Sequence, residues 1–265
     1  MRAPDNDMTT FMGGLDRLVQ GDVDNAIAQL TRAIKADPGY ALAYFNRGLA
    51  WRKKGDVAAA LADFEKAIKL NPRLTDAYLH RGLVRKRKGD LTGALADFEK
   101  ALELDRRCAE AYCHRGSVWR KQGDLARALA DFEEAIRLRP DLAEAYNYRG
   151  LVRQAQDDLA GALADFTQAV HLKPDFVEGY YNRGLAREVQ GAFGEAVADF
   201  SAALSFNPRL AEVYANRGLA LLQAGKDGEA QKDFDQFYRR KPDQRYQLDK
   251  RIWELRRKRL NKASP

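Results

Sequence analysis

The chain has 265 residues, 45% of them hydrophobic and 31% charged, with a mean hydropathy of −0.56, a balance that supports a buried core and excludes disorder. No run approaches the roughly 18 uninterrupted apolar residues of a membrane span, and two cysteines, Cys108 and Cys113, exclude a disulfide scaffold or a Cys-x-x-Cys metal site. The net charge of +7 sits in the tail, where eleven Lys/Arg face three acids from Arg239 to Pro265, leaving 34 basic against 35 acidic residues elsewhere, so whole-chain nucleic-acid binding does not follow.

In chain order, residues 1–6 form an N-terminal extension. Met1 to Leu15 lacks the basic start and apolar run of a secretory signal, which predicts a cytoplasmic protein. From residue 7 a period of 34 runs to residue 244, dividing the chain into 7–40, 41–74, 75–108, 109–142, 143–176, 177–210 and 211–244. Position 8 is Gly14, Gly48, Gly82, Gly116, Gly150, Gly184 and Gly218. Position 20 is always alanine, from Ala26 to Ala230. A glycine and an alanine at matching heights predict a close crossing of two helices. Position 4 is tyrosine from Tyr44 to Tyr214 and position 24 is phenylalanine from Phe64 to Phe234, and these make apolar stripes of helical period. Gly21, Gly55, Gly89, Gly123, Gly191 and Gly225 end each first helix, and Asp22, Asp56, Asp90, Asp124 and Asp158 follow as N-caps of the second. Pro38, Pro72, Pro140, Pro174, Pro208 and Pro242 close the units. Each unit therefore reads as a helical hairpin. Residues 245–265 continue in register as a basic amphipathic helix, with Tyr246, Leu248, Ile252, Trp253, Leu255 and Leu260 on one half of the wheel and Lys250, Arg251, Glu254, Arg257, Lys258 and Lys262 on the other. Such a helix caps the last hairpin or docks on an anionic surface.

This pattern resembles the tetratricopeptide repeat family over residues 7 to 244. The resemblance implies an all-α, right-handed α-solenoid of seven helix-turn-helix repeats plus a C-terminal capping helix, with positions 2, 5, 6, 9, 12 and 13 of the first helices facing a concave groove. Asp157 in place of the turn glycine, Arg106 in place of proline, Phe237 in place of alanine, and Thr10 and Gly13 in the first unit depart from the pattern.

Arginine at position 7 and aspartate at position 23 recur together as Arg47 with Asp63, Arg81 with Asp97, Arg115 with Asp131, Arg149 with Asp165, Arg183 with Asp199 and Arg217 with Asp233. A charge in a helix seam is costly unless paired, so each pair reads as a structural clasp. Arg251 keeps the arginine without its own aspartate, leaving a clasp to Asp233 open. In the groove, position 6 supplies Asn46, His80, His114, Tyr148, Asn182 and Asn216, either as an amide-containing ladder for a peptide backbone or as solvated polar residues. Position 9 supplies Leu49, Leu83, Leu151, Leu185 and Leu219, as inter-helix packing or an apolar floor. Positions 12 and 13 give a basic edge of Arg52, Lys53, Lys86, Arg87, Arg120 and Lys121, confined to the second to fourth units. Position 5, with Phe11, Phe45, Leu79, Cys113, Asn147, Tyr181 and Ala215, lacks the lysine of the family's clamp for chaperone tails. Two histidines and Cys113 fall short of a zinc site, and no phosphate loop is present.

The sequence thus predicts a non-enzymatic scaffold or adaptor without cofactor or metal, binding an extended segment of a protein partner in the groove. The competing readings are a nucleic-acid or anionic-surface binder working through the tail and the basic edge, and a targeting module for a separate enzyme.

Overall fold

The computed structural model describes residues 4–263, and side chains from residue 8 to residue 259 and at residue 261. Residues 1–3, within the predicted extension, and residues 264–265 of the tail lie outside the described part, as do the side chains of Leu260 and Lys262. All described secondary structure is helical. The chain divides into a first unit to Arg139 and a second from Pro140.

The first unit contains α1 (Pro4–Val19), α2 (Val23–Ala36), α3 (Ala41–Lys54), α4 (Val57–Leu70), α5 (Thr75–Lys88), α6 (Leu91–Leu104), α7 (Ala109–Lys121) and α8 (Leu125–Leu138). The second contains α9 (Ala143–Ala155), α10 (Leu159–Leu172), α11 (Val177–Gln190), α12 (Phe193–Phe206), α13 (Ala211–Gln223), α14 (Asp227–Arg240), a single 3-10 turn and α15 (Arg245–Ala263). Within each unit, odd and even helices pair as antiparallel hairpins and each hairpin packs on the next.

The punctuation acts as the residue types require. Asp56, Asp90, Asp124 and Asp158 accept from the backbone amide three residues on at 2.9–3.0 Å, satisfying a donor that the helix start leaves open. Gly55 adopts φ 94°, so the Asp56 amide turns back to the Trp51 carbonyl. Where Asp157 replaces the turn glycine, the aspartate itself adopts φ 63°; short polar residues are the non-glycine types that enter this region most readily.

Inside the hairpins the second-helix phenylalanines, among them Phe64, Phe98, Phe166 and Phe200, are fully buried. Their rings are what the position-8 glycines accommodate: a Cβ on Gly48 would stand 2.7 Å from Phe64 Cε1. The ring of the second-helix phenylalanine fills the volume that the missing side chain leaves at the crossing.

Helix α15 buries Leu248 and Ile252 among Leu219, Leu222, Phe234 and Phe237, with Leu255 partly covered. Arg259 ties its far end to Asp227 at 2.9 Å and to the Leu222 carbonyl at 3.2 Å. Tyr246 and Trp253, expected on the packed half, are 77% and 58% exposed. The contact is a narrow stripe four residues apart, and both aromatics fall outside it. Arg251 is exposed while Asp233 is held by Arg217, so the alternative clasp from Arg251 is not formed. Ending the chain at Gln244 uncovers Leu222 and Phe237. Losing the burial of Leu248 and Ile252, about 1.5–3 kcal/mol each before the cost of ordering the helix, lowers the thermal midpoint by about 2–4 °C for each kcal/mol that remains after that cost. An unchanged midpoint in a melting experiment would free α15 for another role.

Candidate functional site

The recurring charges are internal. In all six hairpins from α3/α4 to α13/α14, the arginine Nη2 lies 2.6–2.7 Å from an aspartate oxygen and Nε bonds the same carboxylate. The aspartates are buried. Each guanidinium also lies over the tyrosine three residues before it, 5.5–5.7 Å from the ring centre. A second arginine joins three of the carboxylates: Arg85 at Asp97 (2.9 Å), Arg153 at Asp165 (3.0 Å) and Arg187 at Asp199 (2.7 Å). Sequence reading missed these, although position 11 shows arginine in those three repeats. Such groups join the two helices of each hairpin.

In the first unit the predicted groove residues form a compact polar layer on α3, α5 and α7. Asn46 Nδ2 donates to the Leu42 carbonyl of its own helix at 2.8 Å, which occupies one of its two N–H groups. The His80 ring packs between Phe45 and Phe64, with Nδ1 accepting from Arg52 at 3.0 Å. His114 packs against Phe98, and its Nδ1 is buried without a partner. Burial, reinforced by Arg52 at His80 and chiefly by Lys86 at His114, pushes the two imidazoles down to about 4 and about 3. Of the basic edge, Arg52, Lys86 and Arg120 are half-buried, whereas Lys53, Arg87 and Lys121 are exposed.

These depressed histidines predict acid sensitivity. A group whose folded value lies below its ordinary 6.5 supports folding above that pH and loses the contribution as pH falls toward 4. The first unit should therefore weaken between about pH 6.5 and pH 4, and His80→Asn with His114→Asn should flatten that slope. Urea midpoints across this range test it; an equal slope in the variant would show that other groups carry the acid response.

In the second unit the groove is differently built. Asn182 Nδ2 donates to Asn147 Oδ1 at 2.9 Å, and Asn216 Nδ2 to the Tyr181 hydroxyl at 2.8 Å. Asn216 is only 7% exposed and Leu219 only 1%: the first donates to Tyr181, and the second packs beneath α15. Leu49, Leu83, Leu151 and Leu185 are half-buried and pack against their own hairpin cores. A cavity of about 390 Å³ is lined by Tyr148, Leu151, Phe176, Tyr181, Asn147 and Asn182 with Glu144, Lys173 and Glu178. A second, of about 310 Å³, lies between α11 and α13 against Val177, Tyr181, Leu210 and Val213, edged by Glu178 and Glu212. Asn147 and Tyr181 sit at position 5, which the resemblance places on the groove side, whereas Phe176, at the end of its repeat, lies outside the predicted groove positions. The available signal was the change at position 5 from apolar Phe45 and Leu79 to Asn147 and Tyr181. Farther along, burial pushes the Glu188 carboxyl up to about 7 against the opposing charge of Arg251.

Among the described residues no group of three or more His, Cys, Asp or Glu is placed to hold a metal ion, and no helix is long and apolar enough to cross a membrane.

Comparison with known proteins agrees with this geometry. No curated protein matches the chain. Among solved structures, YrrB, described as a tetratricopeptide repeat protein with an unusual peptide-binding site, is 26% identical with a TM-score of 0.55, over 72% of this chain and 97% of that one. MamA is 30% identical with a TM-score of 0.51, over 61% of this chain and 95% of that one. The Cut9–Hcn1 assembly of the APC/C shares the fold alone, at 17% identity and a TM-score of 0.78, over 93% of this chain and 46% of that one. The repeats and these neighbours support a protein-interaction scaffold, a fold that is typically non-catalytic. Tetratricopeptide repeat models match residues 11–74, 79–143, 148–211 and 211–244, and with the glycine-seated phenylalanines and the arginine–aspartate clasps recurring every 34 residues, the chain belongs to the tetratricopeptide repeat family.

Proposed function

We propose that the chain is a non-enzymatic adaptor that binds an extended segment of a protein partner along the inner faces of its first helices. The observation that carries this reading is the pair of consecutive cavities on α9, α11 and α13, which combine an apolar floor (Leu151, Phe176, Val213) with amide, phenol and carboxylate groups at their edges. Small apolar depressions with a few convergent polar groups suit alternate side chains and backbone amides of an unfolded peptide. The unusual peptide-binding site described for YrrB supports the same reading.

Asn182 retains its carbonyl oxygen after donating to Asn147, and Tyr148 lines the same cavity. Changing both to alanine removes one hydrogen-bonding group, worth about 0.5–1.5 kcal/mol, together with part of an aromatic wall. Affinity for the captured partner segment should fall about 5- to 50-fold while the helical circular dichroism persists. Calorimetry against that segment measures it. Undiminished affinity would move the binding site off this groove and toward α15.

A further inference from the structure

The concave side of the first unit carries two recessed cations, Arg52 and Lys86, whose hydrogen-bond partners are neutral. Position 12 places Arg52, Lys86 and Arg120 one per hairpin, on α3, α5 and α7, all half-buried. The first two have neutral partners: Arg52 donates to His80 Nδ1 at 3.0 Å and Lys86 to Ser117 Oγ at 2.9 Å. Burial holds both cations below their ordinary values. At Lys86 the nearby Cys113 opposes this, and Arg120 and Lys121 reinforce it; no carboxylate acts on either group. A desolvated cation with a neutral partner is an expensive arrangement for a fold to keep, and the six clasps show how readily this chain supplies aspartate where it needs one. The acids of the same helices, Asp76 and Glu110, stand ten positions earlier, about 15 Å along the helix, and Glu110 is engaged by Arg139. The orphan His114 Nδ1 lies in the same cluster, within the influence of Lys86, His80 and Arg52.

Spacing narrows the ligand. Packed helices lie about 8–10 Å apart, and a polyproline-II segment presents every third residue on one side, about 9 Å apart. In a β-strand the third residue points to the opposite face. A DNA strand carries a charge about every 3.4 Å of helix axis, too dense for one cation per hairpin. We propose that the concave face of α3, α5 and α7 binds a partner segment with glutamate or aspartate at every third residue, in polyproline-II conformation, successive carboxylates meeting Arg52 and Lys86. The proposal rests on the groove reading and gives it a partner chemistry.

The test uses the full chain and labelled peptides of repeated Pro-Pro-Glu, Pro-Pro-Gln and alternating Glu-Thr, with labelled oligo-dT as a nucleic-acid arm. Fluorescence anisotropy should show Pro-Pro-Glu bound most tightly, with hydrogen exchange slowed in α3, α5 and α7. Arg52→Gln with Lys86→Gln should weaken it by about tenfold or more, whereas Lys53→Gln with Arg87→Gln, on the exposed edge, should cost less than about threefold. The recessed pair of changes removes desolvated charge, so the variant should melt no lower than the parent. Lys86→Arg, which keeps the charge, should retain binding. Three results would overturn the proposal: equal loss from the exposed pair, glutamate peptides no better than glutamine ones, or tighter binding of oligo-dT through the same residues. Glutamine peptides that protect α3, α5 and α7 equally would leave the groove reading standing without its acidic preference. Peptides that protect no first helix of either unit would remove both.

Discussion

Replacing Asp97 by alanine is expected to lower the unfolding free energy by about 3–5 kcal/mol, the range for removing one member of a buried charge group. Asp97 is 2% exposed and holds two guanidiniums, Arg81 at 2.6 Å and Arg85 at 2.9 Å, so its loss leaves Arg81 in the helix seam without its anion and Arg85 with only longer contacts to Glu65 at 3.9 Å and Asp90 at 3.8 Å. Asp131, whose ion pair is with Arg115 alone, should cost less on the same change. Because the attraction is between partly desolvated groups, the difference should survive high salt. Exchanging Asp97, Arg81 and Arg85 together for Leu and two Met should recover most of the loss, since apolar isosteres of a buried ion group are commonly neutral. Urea unfolding of the four proteins measures these values. A cost for Asp97→Ala below about 1 kcal/mol would show that the clasp contributes specificity without stability.

Phe166→Ala is expected to cost about 3–5 kcal/mol, as for other fully buried aromatics. The partner of this ring is Gly150, where an added Cβ would meet Phe166 Cε1 at 2.7 Å, closer than van der Waals contact allows. Gly150→Ala should therefore destabilise the parent by about 1–3 kcal/mol, although alanine is the better helix former by about 1 kcal/mol. In the Phe166→Ala background the obstruction is gone and the added methyl partly refills the cavity, so the same Gly150→Ala change should stabilise. This reversal of sign is read by a double-mutant cycle in denaturant. A stabilising Gly150→Ala in the parent would mean that the two helices separate at little cost.

The sequence by itself determined the hairpins. The 34-residue recurrence, the capping aspartates and the turn glycines are local rules, and a backbone that needs a left-handed residue or an N-terminal acceptor states that need in its residue types. The partners in the arginine–aspartate pairs were legible for the same reason, because a charge repeated at seam positions requires its opposite. Only the tertiary structure decided what fills the space at the position-8 glycines, since alanine at position 20 and phenylalanine at position 24 both lie on the second helix and spacing does not say which side chain reaches across. It also decided which groove residues are free. Asn182 and Asn216 carry the same residue type at the same repeat position, yet Asn182 is half-buried and donates to Asn147 while Asn216 is buried and donates to Tyr181, because the residues at position 5 of the preceding repeats differ. Tyr246 and Trp253 lie outside the packed stripe of α15 for a related reason: a helical wheel divides a helix into halves, whereas one supporting hairpin covers only a stripe.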